Sequence, residues 1–394
     1  FPKLISGPIT PYEMLRRQLH SARRFLPENL AEGMKLFIRG LGLKAILANQ
    51  FGSLWANVGT IGYESISTPL AWLGIYAYSF QIYFDFYGYS LMAAGLGRML
   101  GFKLPINFMH PYLSTSMTEF WRRWHITLGQ WFQTYIYIPL GGNRTGTCKW
   151  IRNLLVVWIL TGIWHGTEFH FILWGFSLFV IVLTEKLLLK KLTDRYALAG
   201  HLYMAVLIPL SWMLFGISDP GSIEVYTRKL FPFFSADDAI IYVNDFWKNL
   251  NDFRFIIPAG FLFSTRLPVR FLKKIRGSVP EIFVYLAIFW ASVYCIYTCH
   301  RFSGRRSDTT VLHRRFPWSR LRFHPRDPSD DLWGTWLRRS IRQRHQHPHR
   351  PDPYRPGSLR HPKHHPPYPG MHPRLSGQWK SLHLWSTAEG TLQV

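Results

Sequence analysis

The 394-residue chain carries 46 Lys+Arg against 22 Asp+Glu, a formal net charge of +24, with 48% hydrophobic and 17% aromatic residues. Its three cysteines, Cys148, Cys295 and Cys299, supply no disulfide framework, which excludes a small cystine-stapled secreted domain. These averages merge two unlike polymers: residues 300–394 hold 18 Lys+Arg against 6 Asp+Glu, 11 of the 17 His and 12 of the 26 Pro, and the apolar character lies in the first 299 residues.

The chain opens "FPKLISGPIT", with neither Met nor a signal peptide, so Phe1 is expected to be the edge of a fragment. "MKLFIRGLGLKAILA" (Met34–Ala48) sets Lys35, Arg39 and Lys44 among Leu, Ile and Phe, the pattern of an interfacial amphipathic helix. Ser65–Phe84 is uncharged for 20 residues, about the length that crosses a bilayer, and Asp85 alone interrupts the run on to Gly97. Leu154–Thr184 has a single formal charge, Glu168, and predicts either one long span or two short ones broken around Gly162, Gly166 and Gly175. Leu202–Ser218 and Ile282–Thr298 are each uncharged for 17 residues, and the shorter Phe255–Thr265, interrupted by Pro258, predicts a re-entrant or tilted segment. Basic clusters between the runs (Arg16, Arg17, Arg23, Arg24; Lys186, Lys190, Lys191, Arg195; Arg270, Lys273, Lys274, Arg276) fit cytoplasmic loops, and 17 Trp with 19 Tyr fit aromatic belts. The pattern is that of an all-α polytopic membrane protein with interfacial or re-entrant helices.

Ionisable residues inside such runs are costly and by default suggest function. His165, in "WHG", can act as a general base because a neutral imidazole accepts a proton near physiological pH, and Gly166 beside it leaves room for a substrate. The competing reading is a histidine bonded to a neighbouring helix. His170, five residues on, points to another helical face and reads as structural. In "TEFWRRWHITL", Arg122 and Arg123 either hold the phosphates of a nucleotide-bearing donor or anchor a helix at the headgroups, with His125 following. Asp85 is expected to pair with one of these arginines, the alternative being a polar tunnel. Gly141 and Gly142 predict a tight turn, without the Lys and spacing of a phosphate-binding loop. Cys295, Cys299 and His300 have no second ligand pair at metal-site spacing, so no metal is expected. Neither a G-x-S-x-G elbow nor an H-E-x-x-H motif is present, which removes the common hydrolase and zinc-protease readings.

The tail, with "RQRHQHPHRPDPYRPGSLRHPKHHPPYPGMHPR", lacks hydrophobic periodicity and cannot bury a core. Nucleic-acid or anionic-lipid binding, metal chelation and a frameshift product compete as explanations. The abrupt change at His300–Arg301 favours the last, and no nucleic-acid function is assigned to it.

An ordered series of segments resembles the membrane-bound O-acyltransferase family, in its alginate O-acetyltransferase branch. The series is "FPKLISGPI", "FDFYGYS", "GLGRMLGFKLPINF", "PYLSTSMTEFWRRWHITL", "YIYIPLGGNR" and "NLLVVWILTGIWHGTEFHFILWG"; it covers residues 1–299 and none of the tail. The resemblance implies a multi-helix bundle around a tunnel, an essential histidine at His165 and a second motif histidine at His125. It also implies an acetyl group from cytoplasmic acetyl-CoA, a bacterial inner-membrane location, and hand-over to a periplasmic acceptor protein serving polysaccharide export. His165 would then deprotonate an acceptor hydroxyl, with Trp164, Asn143 or Arg123 as candidate oxyanion donors. The chain departs from the family pattern at Tyr87 and Leu91, and at Gln133 and Thr134, where an Arg-Asp pair is usual. Spans before "FPKLISGPI" and after Thr298 are expected from the family and missing here. D-alanyl transfer by the same architecture, or non-enzymatic transport through a polar tunnel, are the alternatives.

Overall fold

The structure, a computed structural model, describes residues 7–20, 26–144, 146–189, 193, 195–234 and 243–303. Arg23, Arg24, Lys190, Lys191 and residues 304–394 of the tail lie outside the described residues. Every regular element among the described residues is helical.

After α1 (Tyr12–His20), α2 (Pro27–Gly42) begins with Pro in its first turn, where the missing N–H costs nothing. It continues through a π-helical stretch, Leu43–Ala48, into α3 (Asn49–Ile61) without leaving right-handed helical geometry. Met34–Ala48 is therefore part of one long helix, and it packs lengthwise on α4 (Thr68–Met99) instead of forming a separate surface helix. The reason lies in glycines repeated seven residues apart on both partners, a spacing that returns to nearly the same helical face. A Cβ on Gly95 would lie 2.6 Å from the Gly33 carbonyl oxygen, and one on Gly88 would lie 2.6 Å from that of Gly40. Only glycine lets the two backbones approach so closely. Ser67 caps α4 by accepting from Leu70 N–H at 3.3 Å.

The apolar run Leu154–Thr184 resolves into a hairpin of α7 (Thr147–His165) and α8 (Phe169–Thr184), extended by a π-helical stretch, Glu185–Leu189. The break falls at Gly166–Glu168, whereas Gly162 and Gly175 lie within the helices, where a Cβ on Gly175 would be 3.3 Å from Gly162 Cα. His165 is thus the last residue of a helix at the tip of a hairpin, and Glu168 sits exposed in the link.

Next come α9 (Ala197–Gly216), α10 (Pro220–Leu230), α11 (Val243–Asp252), α12 (Ile256–Ser264), α13 (Leu267–Lys274) and α14 (Val279–Ser303). At the start of α10, Ser222 N–H donates to Asp219 at 2.7 Å and holds that carboxyl below its ordinary range. Among the described residues, Phe169–Leu189, Ala197–Gly216 and Val279–Thr298 are long and apolar enough to cross a membrane. The segment α4 is longer, at 32 residues, but Tyr, Gly, Ser, Gln and Asp dilute its apolar run. At nine residues, or roughly 13 Å, α12 is too short to span. The core that seats the site is largely aromatic: Tyr83 and Phe84 from α4, Phe120 from α5 (Met117–Arg123), Trp174 from α8 and Trp212 from α9 are all buried.

Candidate active site

The segment carrying "WRRWH" is held at both ends. Ser116 caps α5 by accepting from Glu119 N–H at 3.1 Å, and the Glu119 carboxylate accepts from Thr115 N–H at 2.8 Å, one residue before the cap. From the end of α8, buried Glu185 accepts from the N–H groups of Met117 and Thr118, satisfying donors that a helix N-terminus leaves open. Beyond α5 the chain turns sharply: His125 adopts a left-handed conformation (φ 45°) before α6 (Ile126–Phe132) begins. For a residue with a Cβ this geometry is strained, and it persists only where the surroundings enforce it.

Asn107 does the enforcing. Its Oδ1 accepts from His125 Nδ1 at 3.1 Å, from Thr127 N–H at 3.3 Å and from Thr127 Oγ1 at 2.9 Å. Its backbone carbonyl accepts from Ile126 N–H at 3.0 Å, and its amide donates to Ser90 Oγ at 3.1 Å. Because Oδ1 accepts, the proton of neutral His125 is assigned to Nδ1, which leaves a lone pair on Nε2. That Nε2 is buried and has no hydrogen-bond partner.

The His165 ring stands at the end of α7 against Trp164 (4.8 Å between centroids), Trp174 (5.1 Å) and Phe215 (5.2 Å). The His125 ring lies 6.0 Å from Trp164, so both imidazoles neighbour one indole. Nδ1 of His165 is also buried without a hydrogen-bond partner. Buried polar atoms are nearly always satisfied in folded proteins. Nδ1 of His110 and of His170 are likewise buried and unmet, but only His125 and His165 bring their rings to the same indole, that of Trp164, among the described residues.

Other predicted residues fall elsewhere. Gly166 lies against the Phe171 ring, which a Cβ would meet at 2.5 Å, so its lack of a side chain admits that ring. Asp85 pairs with Lys44 of the π-helical stretch, not with an arginine, because α2 and α4 are brought into register by their glycines. Arg123 instead pairs with Glu119 one turn earlier on its own helix. Arg122 and Asn143 line a separate cleft of about 680 Å³ together with Thr118, Trp150, Glu185 and Lys186. His170 is buried, with Nδ1 facing the Glu168 carboxylate at 3.4 Å, in keeping with a structural role. The expected tight turn is present, with positive φ at Gly141 (102°) and Gly142 (58°). Fully buried Asn153 fixes it by donating to the carbonyls of Leu140 and Gly142, both at 3.0 Å. Asn107, Asn153 and Glu185 escaped sequence reasoning. Their only signal was an isolated amide or acid beside an apolar run.

Over residues 1–218 the chain matches the model of MBOAT, the membrane-bound O-acyltransferase family. It is 39% identical over 216 residues to a probable alginate O-acetylase of Pseudomonas putida, a match covering 55% of this chain and 44% of that protein. A peptidoglycan O-acetyltransferase of Helicobacter pylori is 43% identical over 177 residues (44% and 33% covered). A teichoic acid D-alanyltransferase of Streptococcus thermophilus is 32% identical over 211 residues (49% of each chain). The chain thus spans less than half the length of each of these relatives. Both histidines, the indole they share and the helices that hold them lie inside the matched region, and the chain belongs to the membrane-bound O-acyltransferase family.

Proposed function

We propose that the two-histidine region is the acyl-transfer centre of an inner-membrane O-acetyltransferase serving an exported polysaccharide such as alginate. The observation that carries this reading is the pair of buried, unpartnered nitrogens, His165 Nδ1 and His125 Nε2, on rings that both neighbour Trp164. The likeness to a probable alginate O-acetylase supports the choice of acetyl over other acyl groups.

In this reading His165 accepts the proton of an acceptor hydroxyl, whose oxygen attacks the carbonyl of a cytoplasmic acetyl-CoA-type thioester. The tetrahedral intermediate collapses with cleavage of the C–S bond, and the imidazolium returns its proton to the thiolate. The products are an ester and a free thiol. His125, with its Nδ1–H committed to Asn107, offers Nε2 as a second acceptor near Trp164. The acetyl group passes to a periplasmic acceptor protein working with the polysaccharide export machinery.

The test is alkali-labile acetate on the secreted polysaccharide, compared between cells with the complete gene and cells with His165→Ala. Loss of acetate with the variant still in the membrane supports His165 as the base. Unchanged acetate overturns the reading and favours transport. Loss of ester-linked D-alanine in place of acetate moves the activity to the D-alanyl branch.

A further inference from the structure

We propose that the indole N–H of Trp174, seconded by that of Trp121, is the donor that holds the acyl carbonyl and stabilises its oxyanion. This inference rests on the acyl-transfer reading of His165. Trp174 is 1% exposed, and its Nε1 is buried with no acceptor. An indole nitrogen only donates, so it cannot be satisfied by exchanging roles with a neighbour. Leaving such a donor unmet inside a protein is costly, and each case calls for an explanation.

The position of Trp174 supplies one. Its ring lies 5.1 Å from that of His165 and 5.7 Å from that of Trp121, whose Nε1 is likewise buried and unpartnered. With His165 Nδ1, three unmet polar atoms from α5, α7 and α8 belong to rings that abut in series. Trp212 Nε1 is unmet as well, with its ring 6.0 Å from Trp174, and of these three indoles it is Trp174 that packs against His165. A base takes its proton across about 2.6–3.2 Å, and an oxyanion donor sits about 2.7–3.1 Å from the developing charge on the far side of the attacked carbon. Such a donor belongs one ring away from the imidazole, where Trp174 stands.

The competing donors are disfavoured on geometry. Arg123 is paired with Glu119, Asn143 lines the separate cleft with Arg122, and the Trp164 side chain lies on a residue 42% exposed. Phe171 and Phe215, the other rings against His165, have no polar atom. As the acceptor oxygen adds to the thioester carbon, the C=O electron pair moves onto oxygen and draws the indole N–H into a stronger hydrogen bond. It returns when the C–S bond breaks, and the indole keeps its proton throughout.

The experiment uses the complete protein in membranes, with Trp174→Phe and a second version in which Trp174 is replaced by its benzothienyl analogue. The analogue keeps the bicyclic shape and carries sulfur in place of N–H, so it separates loss of the donor from loss of packing. Both are compared with His165→Ala in a steady-state assay of acetyl transfer from acetyl-CoA. The expected result is a fall in kcat of about 10²–10³-fold for the analogue, with KM for acetyl-CoA within twofold of wild type. An analogue that keeps wild-type kcat while His165→Ala abolishes turnover overturns the donor role and leaves the acyl-transfer reading standing. Turnover that survives His165→Ala overturns that reading, and the inference with it.

Discussion

Glu185, at the end of α8, accepts from the Thr118 backbone N–H at 3.1 Å and so ties the hairpin bearing His165 to the short helix that leads to His125. The carboxylate is 3% exposed and meets a helix N-terminus, where unpaired N–H groups and the positive end of the helix dipole both favour an anion. α5 has only seven residues and cannot be stable by itself, so its direction depends on such anchors.

Glu185→Ala is therefore expected to lower stability by about 1–3 kcal/mol, the cost of leaving one buried and one partly buried backbone donor unmet. Glu185→Gln, which keeps an acceptor oxygen but loses the charge, should fall between wild type and Ala. Thermal unfolding in detergent orders the three proteins, and equal melting temperatures would remove Glu185 from the scaffold of the site.

The positioning of His125 by Asn107 leads to a sharper test. Asn107→Ala removes the one oxygen that gathers His125 Nδ1 and both donors of Thr127, so the strained backbone at His125 should relax and turnover should fall at least tenfold. Asn107→Asp retains the accepting oxygen and gives up only the donation to Ser90, so it should keep more activity than the Ala variant. The reverse order of activities would contradict this account.

The histidines, the arginine pair and the glycine turn could be picked out from the sequence because each is a costly residue type in an apolar or tightly turned setting. Helices α9 and α14 match uncharged runs for a different reason, their near-bilayer length without a charge. What stayed hidden was pairing across the fold. For Asp85 the sequence points to the arginines, which follow it in an evident motif, whereas its partner Lys44 is placed by a seven-residue glycine spacing shared between α2 and α4. A glycine beside a histidine suggests space, and only the fold shows that the Phe171 ring of the next helix packs against it. Asn107 sits in "LPINF", and nothing local marks it as the residue that holds His125.

The glycine spacing itself predicts an asymmetric response to alanine. Gly88→Ala or Gly95→Ala places a methyl 2.6 Å from a facing carbonyl oxygen and must push α2 away from α4, with an expected loss of about 1–3 kcal/mol. Gly129→Ala, where the nearest atom would be 3.9 Å away, should be neutral or slightly stabilising in its helix. The fraction of folded protein recovered after mild heating in detergent separates the two classes.

The Lys44–Asp85 pair allows the surroundings of α4 to be measured. Its side chains are 42% and 48% exposed, and the worth of the pair depends on what meets that exposed surface. In water, screening and side-chain entropy hold such a pair to about 0.2–1 kcal/mol. Against hydrocarbon, an unpaired charge is far more costly, and each single neutralisation strands one. Asp85 interrupts an otherwise uncharged run, so hydrocarbon is the expected neighbour. A double-mutant cycle of Lys44→Met and Asp85→Asn in bilayers should then give a coupling above about 1 kcal/mol, with the double variant more stable than either single. A coupling near zero would place this stretch of α4 in water and limit the hydrocarbon-spanning role to the more apolar helices.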